Sequence, residues 1–203
     1  MVLLFVLGMP VSDNPNLSPG IFLLENLIEA VVFTLLPIII VLKYYDGTIA
    51  EIGFTRQSFG RNLLAGVLVG FLIWGIVSIV DIGIKSIWGK GSQNPYIQML
   101  EMADSPISYF VVLISLVIMG PVSEEVYSRG FAYTIFKKRF GKTIGLIISS
   151  LLFTSLHFDI RQTIQIFLAS VGLTLLFERT KSLVPVITAH AIINVCSVYL
   201  GKA

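Results

Sequence analysis

Two adjacent glutamates, Glu124 and Glu125, and an arginine four residues later, Arg129, lie inside one of the most apolar regions of the chain. Placing a charged side chain at the centre of a bilayer costs at least about 2.5–3.5 kcal/mol on insertion scales, so such acids usually mark a functional site. Carboxylates act as general acids and bases. The sequence therefore predicts proton-transfer chemistry inside a membrane.

The composition indicates an integral membrane protein. Of the 203 residues, 55% are hydrophobic and 13% are charged, whereas about a quarter of the residues in a soluble domain carry charge. The net charge of +2 is too small to indicate a nucleic-acid partner. The single cysteine, Cys196, cannot form a disulfide within the chain, and we expect it to be a small buried hydrophobe.

Six hydrophobic stretches predict membrane helices, because backbone polar groups in hydrocarbon must pair internally and no alternating barrel pattern is present. They run at about 20–42, 62–83, 107–136, 143–158, 162–177 and 183–200. The first eleven residues are apolar but too short to cross a bilayer, and we interpret them as a re-entrant or interfacial segment or, preferably, a truncated helix. The predicted fold is an all-α, polytopic transmembrane bundle of about six to seven helices, in a single domain over residues 1–203.

The basic residues predict the orientation of this bundle. If six spans alternate, ten Lys and Arg residues fall on one side and four on the other. The ten are Lys43, Arg56, Arg61, Arg129, Lys137, Lys138, Arg139, Lys142, Arg179 and Lys181, and the four are Lys85, Lys90, Arg161 and Lys202. Because Lys and Arg accumulate in cytoplasmic loops, we expect the joints 43–61, 137–142 and 178–182 to be cytoplasmic.

The spacing of the three charged residues predicts different roles for the two acids. Successive helical residues are 100° apart, so Glu124 and Glu125 should face different ways and should not share a role. Glu125 and Arg129 are four apart and can form an ion pair that neutralises both charges. Gly120 and Pro121 predict a bend just before them. Glu124 would then lack that partner and face a cavity.

The fourth stretch places an imidazole at the expected depth of Glu124. Phe153 and His157 are four residues apart and share one face of a helix. Glu124 and His157 are equally distant in sequence from the centre of the basic turn 137–142, so an antiparallel hairpin would bring them to the same depth. A carboxylate and an imidazole in that arrangement can hold and deprotonate a water molecule.

The last stretch supplies a second polar pair. His190 and Asn194 are also four residues apart, so they share one face of an otherwise apolar helix. Imidazole and amide N–H groups are donors of the kind that stabilise a developing oxyanion. The chain has two histidines, and both occupy such positions.

Each polar pair also has a purely structural interpretation. The Glu125–Arg129 pair considered alone favours a structural ion pair, because charges in membranes pair with one another. Asn194 alone would favour an interhelical hydrogen bond, and His157 alone would fit an interfacial position equally well. The conjunction of three polar pairs on three helices favours a catalytic site.

Four other residues are expected to be structural. Phe153 should pack against His157 and orient it, and Asp81 should cap the end of a span. Glu25 and Glu29 should lie close to the membrane interface.

Together the three motifs resemble those of the CPBP family of intramembrane glutamic endopeptidases, which includes type II CAAX prenyl proteases and bacteriocin-processing or immunity proteins. That family has Glu-Glu-x-x-x-Arg, Phe-x-x-x-His and His-x-x-x-Asn. This chain has Glu124-Glu125-Val-Tyr-Ser-Arg129, Phe153-Thr-Ser-Leu-His157 and His190-Ala-Ile-Ile-Asn194. Each motif alone is weak, but all three in order, within the hydrophobic helices of residues 107–200, form a specific signal.

The resemblance implies roles for these residues. Glu124 and His157 would activate the attacking water, and His190 and Asn194 would hold the tetrahedral oxyanion. A further set, Glu125, Arg129 and Phe153, would support the site or position the substrate. The resemblance implies no cofactor, and the helical zinc motif His-Glu-x-x-His is absent. Two histidines and a glutamate are nevertheless a ligand set that zinc accepts, so zinc is not excluded.

The predicted function is hydrolysis of a peptide bond in a membrane-associated peptide or protein, of the CAAX type or a peptide precursor. By the resemblance, the chain would be a multi-pass protein of a bacterial cell membrane, with the lipid bilayer as its other partner. One alternative is a non-catalytic bacteriocin-immunity protein or peptide-binding scaffold. Another is a proton-coupled carrier, against which stands the absence of internal repeats and of paired broken helices.

Overall fold

Seven helices form the part of the chain that the structure describes, and no strand occurs in it. This computed structural model describes residue 24 and residues 27–55, 58–89, 95–157 and 162–200. The helices are α1 (Leu27–Tyr44), α2 (Phe59–Trp88), α3 (Pro95–Met102), α4 (Pro106–Phe140), α5 (Lys142–Ser155), α6 (Thr163–Thr180) and α7 (Leu183–Tyr199). The predicted all-α membrane bundle is confirmed. The apolar segment 1–11 lies outside the described residues.

The helices differ in whether they are long enough to cross a bilayer. Among the described residues, α1, α2 and α4 are long and apolar enough, whereas α5 and α7 are shorter apolar helices. The 14 residues of α5 extend only about 21 Å, less than the roughly 30 Å of a hydrocarbon core. The stretch predicted at about 143–158 therefore forms a slightly shorter helix, Lys142–Ser155, and its crossing of the bilayer stays a prediction. The total number of crossings stays a prediction.

Helix α4 carries the two glutamates between two wide, π-helical turns. These turns span Ser115–Met119 and Val126–Tyr133, and a short α-helical section, Gly120–Glu125, separates them. Pro121 has no N–H to donate to the preceding turn, and the wider turn before it accommodates that loss. The irregularity predicted at Gly120 and Pro121 thus takes the form of a π-turn within a helix that continues. Each π-turn rotates the side chains beyond it relative to a regular helix.

A tight reversal joins α4 to α5. Gly141 separates the two helices and has a φ of 81°, a backbone conformation that favours glycine over residues with a Cβ. The basic residues Lys137, Lys138 and Arg139 occupy the last turn of α4, where cations interact favourably with the helix dipole. The predicted antiparallel hairpin around residues 137–142 is confirmed.

The three joints predicted to be cytoplasmic lie at one end of the bundle. Glu178, near the end of α6, forms ion pairs with Lys137, Lys142 and Lys181. The backbone N–H of Leu183 donates to the carbonyl of Gly53, with an N–O distance of 2.9 Å. The loop after α1, the α4–α5 turn and the α6–α7 turn therefore share one end, whereas their cytoplasmic orientation stays a prediction.

Helix α2 extends further than its hydrophobic stretch suggested, and this changes the place of Asp81. The helix continues to Trp88, so Asp81 does not cap its end, and that expectation is wrong. Its carboxylate pairs with Lys85 at 2.8 Å and accepts a hydrogen bond from Gln165 Nε2 at 3.1 Å. A cation one turn later lets the helix continue past the acid. Glu25 lies outside the described residues, and the interfacial position expected for Glu29 stays a prediction.

Helix α7 packs most extensively against α2, and two glycines of α2 permit the close approach. A Cβ atom at Gly70 would lie 2.9 Å from both Ala189 O and Ile192 Cβ. Small residues allow membrane helices to approach closely in this way. The buried core beside this contact joins α2, α4, α6 and α7 and consists of Ile73, Val126, Tyr133, Leu173, Leu176, Phe177, Leu183, Val186, Ala189 and Ile193.

We predict that Gly70→Ala destabilises the protein by about 1–3 kcal/mol, because the added methyl group would force α7 away from α2. The matched control is Gly75→Ala on the same helix, where a Cβ would meet no atom within 4 Å. That change should be neutral or stabilising, since alanine favours a helix over glycine. Thermal unfolding of both variants in detergent micelles measures the difference, and equal midpoints would contradict the packing described.

Candidate functional site

Helices α4 and α7 and the turn after α5 bring one carboxylate and two imidazoles together. Glu124 Oε2 lies 3.9 Å from His157 Nε2 and 3.8 Å from His190 Nε2. Both distances exceed hydrogen-bond length, and the Oε2 atom is buried without a hydrogen-bond partner among the described residues. The side chains of Glu124 and His157 are 31% and 28% exposed, while that of His190 is 9% exposed. Three polar atoms thus face one partly open point.

His157 is held by the end of α5 rather than within the helix. Its backbone N–H donates to Thr154 O at 3.1 Å, and its Nδ1 lies 2.9 Å from Phe153 O. The expectation of a helical His157 is wrong, because α5 has already ended and the last carbonyls of a helix need outside donors. A carbonyl oxygen only accepts, so Nδ1 carries the hydrogen. In the neutral ring, Nε2 is then an acceptor that points towards Glu124.

His190 is held by the second glutamate. Its Nδ1 lies 2.7 Å from Glu125 Oε1, and the Glu125 side chain is completely buried. The expectation that the two acids share no role is therefore wrong in part, because Glu124 and Glu125 approach opposite nitrogens of the same imidazole. The π-turns on either side of Gly120–Glu125 alter the helix faces on which that expectation depended.

The predicted ion pair between Glu125 and Arg129 is confirmed. Arg129 Nη1 lies 2.8 Å from Glu125 Oε1, with both side chains essentially inaccessible to solvent. Arg129 Nη2 also donates to Ser170 Oγ at 2.9 Å and to Ser170 O at 3.1 Å. The two charges are thus paired and hydrogen-bonded to groups of α6 and α7, while Glu125 Oε2 and Arg129 Nε have no hydrogen-bond partner among the described residues.

Ser170 is the member of this network that the sequence did not indicate. It lies on α6, which carries none of the three motifs, and it is 1% exposed. The available signal was the recurrence of Gln165, Ser170 and Thr174 along one apolar helix. Serine, threonine and glutamine commonly form interhelical hydrogen bonds in membranes, so the pattern alone did not single out a partner for Arg129.

Phe153 packs between the charged network and the open point. Its ring centroid lies 4.6 Å from that of His157 and 4.6 Å from the guanidinium carbon of Arg129. It also lies edge-to-face with His190, with the ring centroids 6.2 Å apart. The ring thus contacts both imidazoles and receives a cation–π contact from Arg129. The expectation that Phe153 packs against His157 is confirmed.

Asn194 is engaged in an interhelical hydrogen bond. Its Nδ2 donates to Leu116 O at 3.1 Å, within the first π-turn of α4. This is the structural interpretation that the residue alone favoured. This hydrogen bond uses one of the two hydrogens on Nδ2, and the second hydrogen can be donated to another acceptor. A role for Asn194 in holding an oxyanion therefore depends on that second hydrogen and stays a prediction.

Among the described residues, no group of three or more His, Cys, Asp or Glu side chains has the geometry to hold a metal ion. The expectation that no cofactor is needed stays a prediction.

We predict that the two glutamates differ in their effect on stability. Glu125→Gln leaves the buried Arg129 charge without its counter-ion and should destabilise the protein by about 3–5 kcal/mol. Glu124→Gln, at a partly exposed side chain without a direct hydrogen bond to Oε2, should change stability by less than about 0.5 kcal/mol. Thermal unfolding in detergent micelles compares them, and equal destabilisation would contradict the assignment of the ion pair to Glu125.

Comparison with known proteins gives one family match. Residues 106–196 match the family model described as type II CAAX prenyl endopeptidase Rce1-like. This segment runs from the start of α4 into the last turn of α7 and contains all three motifs. No curated protein and no solved structure matches the chain. The segment that holds the site is thus similar to the Rce1-like type II CAAX prenyl endopeptidases, a family of membrane-embedded proteases.

Proposed function

We propose that this protein is an intramembrane glutamic endopeptidase that hydrolyses a peptide bond of a membrane-associated peptide or protein. The observation that carries the proposal is the convergence of Glu124 Oε2 with the Nε2 atoms of His157 and His190 at 3.9 and 3.8 Å. The three atoms can hydrogen-bond one oxygen atom placed beside them. We further propose that the chain is a multi-pass protein of a bacterial cell membrane.

In this proposal, Glu124 and His157 hold the attacking water and remove its proton. The acceptor Nε2 of His157 and the carboxylate of Glu124 both face the same point, so either can orient a water hydrogen. The water oxygen bonds to the carbonyl carbon, and its proton passes to Glu124. When the C–N bond breaks, that proton is transferred to the leaving amine, and Glu124 is a carboxylate again.

His190 and Asn194 would stabilise the oxyanion that forms after the water attacks and before the C–N bond breaks. The hydrogen bond to Glu125 keeps a hydrogen on Nδ1 of His190. When Nε2 also carries a proton, Nε2 is a hydrogen-bond donor directed at the open point. The second Nδ2 hydrogen of Asn194 would be the other donor. Removing one donor of this kind typically lowers kcat by about 10²–10³-fold.

Glu125, Arg129 and Phe153 would support this arrangement without contacting the reacting atoms. The carboxylate of Glu125 is shared between Arg129 and His190, so the ion pair sets the position of the imidazole. Phe153 orients His157 through its carbonyl oxygen and through ring contact. These residues are positioning residues, and their substitution should alter the geometry of the site rather than remove a reacting group.

We predict that Glu124→Gln and His157→Ala each lower cleavage at least about 10²–10⁴-fold, the usual contribution of a general acid or base. Purified protein incubated with a panel of membrane-tethered peptides, read by mass spectrometry, measures the loss. The matched control is Ser155→Ala, on an exposed residue two positions before His157 whose hydroxyl donates to Leu152 O, and this variant should retain activity.

Retained cleavage by a purified, folded Glu124→Gln protein would contradict the mechanism. If the Glu124→Gln protein protects cells against a toxic peptide as strongly as the unaltered protein does, the result would instead support a non-catalytic immunity protein or scaffold. Binding alone needs no general base.

We predict that cleavage is independent of metal ions. Dialysis against a strong chelator should leave the rate unchanged, because the proposed base and donors are all protein groups. Zinc content is measured on the same samples. Loss of activity on chelation, with recovery on adding zinc, would contradict this prediction and show that cleavage depends on zinc.

A further inference from the structure

A cavity whose lining includes none of the three facing polar atoms lies at the end of the bundle that carries the basic joints. It has a volume of about 340 Å³ and is lined by Val41 and Tyr45 from the end of α1, Ile52 from the following loop, and Phe131, Ile135 and Lys138 from α4. This volume falls within the range of small-molecule sites, about 300–1,000 Å³. Most of these side chains are apolar, whereas the polar ones lie towards the basic end of α4.

The residues around the cavity are typical of a membrane interface. Tyr44 and Tyr45 at the end of α1 are 79% and 64% exposed, and tyrosines concentrate where hydrocarbon meets water. Val41 lies one turn deeper than Tyr45 on the same helix. A molecule in this cavity would therefore have one end at the level of lipid headgroups and the other among apolar side chains.

The mouth of the cavity carries net positive charge. Lys138 and Arg139 contribute two cations, and Glu51 contributes one anion. The Lys138–Glu51 pair has an N–O distance of 3.7 Å, with side chains 71% and 50% exposed. An exposed pair of this kind contributes little, with a median of about 0–1 kcal/mol. Lys138 can therefore turn to a stronger anion at small cost.

We propose that this cavity binds one anionic phospholipid, with its phosphate on Lys138 and Arg139 and an acyl chain along Val41, Ile52, Phe131 and Ile135. A free phosphate would use the cations but not the apolar wall, and an uncharged lipid would use the wall but not the cations. Basic pockets between membrane helices commonly bind anionic headgroups. Because Phe131 and Ile135 belong to α4, the bound lipid would contact the helix that carries Glu124.

The test is native mass spectrometry of the purified full chain with added lipid. The probes are phosphatidylglycerol and phosphatidylcholine with identical acyl chains. Phosphatidylglycerol should bind at the lower concentration. The double variant Lys138→Gln/Arg139→Gln should weaken its binding by about fivefold per cation removed, and Glu51→Gln should strengthen it.

The matched control is Lys43→Gln/Lys142→Gln, which removes two cations from the same end of the bundle but outside the cavity, and it should leave lipid binding unchanged. Ile135→Trp keeps every charge and fills the cavity, so it should weaken binding of phosphatidylglycerol. If that variant does not fold, the charge variants still decide the outcome.

Three results would overturn the proposal. Equal binding of the two lipids would show that the cavity does not recognise the anionic headgroup. An equal loss of phosphatidylglycerol binding in the control variant would show attraction to diffuse surface charge. Displacement of the lipid by inorganic phosphate alone, at equal concentration, would show a simple anion site.

Discussion

The rest of the structure depends on the burial of one ion pair in an apolar bundle. The side chains of Glu125 and Arg129 are inaccessible to solvent, and a charge buried without a partner costs several kcal/mol. Arg129 Nη2 and Glu125 Oε1 therefore form further hydrogen bonds with neighbouring helices. Arg129 donates to Ser170 on α6, and Glu125 accepts from His190 on α7. This requirement fixes three helices relative to one another and sets the position of the imidazole that faces Glu124.

The second constraint is the local shape of α4 and α5. Two π-turns surround the Gly120–Glu125 section, and they let consecutive glutamates approach the same imidazole from opposite sides. Helix α5 ends at Ser155, so the carbonyl of Phe153 is available to fix the imidazole of His157. Departures from regular helix thus occur where the polar groups meet. A regular helix would direct these groups to separate faces.

Much of this arrangement was predictable from the sequence, because its causes are local. Hydrophobic stretches predicted the helices, the spacing of four residues predicted the Glu125–Arg129 pair, and the basic turn predicted the hairpin. The proximity of Glu124 and His157 followed from their equal distance from that turn, and their side chains lie 3.9 Å apart.

The remaining features depend on tertiary contacts that spacing does not encode. The hydrogen bond between His190 and Glu125 depends on the two π-turns, and although Gly120 and Pro121 predicted an irregularity, the sequence did not predict its form or its effect on the helix faces. Ser170 is one of several small polar residues on its helix, and only the packing of α6 against α4 selects it as the partner of Arg129. Asn194 meets Leu116 O because the first π-turn of α4 faces α7 at that point.

The most direct test of the account is a double-mutant cycle between Glu124 and His157, with kcat/KM for a cleaved peptide as the measured quantity. If the two side chains act on one water molecule, the variant that carries both Glu124→Gln and His157→Gln should be scarcely less active than either single variant, because groups that act as a unit are strongly non-additive. If the two losses multiply instead, the residues act independently, and the shared water at the centre of this account does not exist.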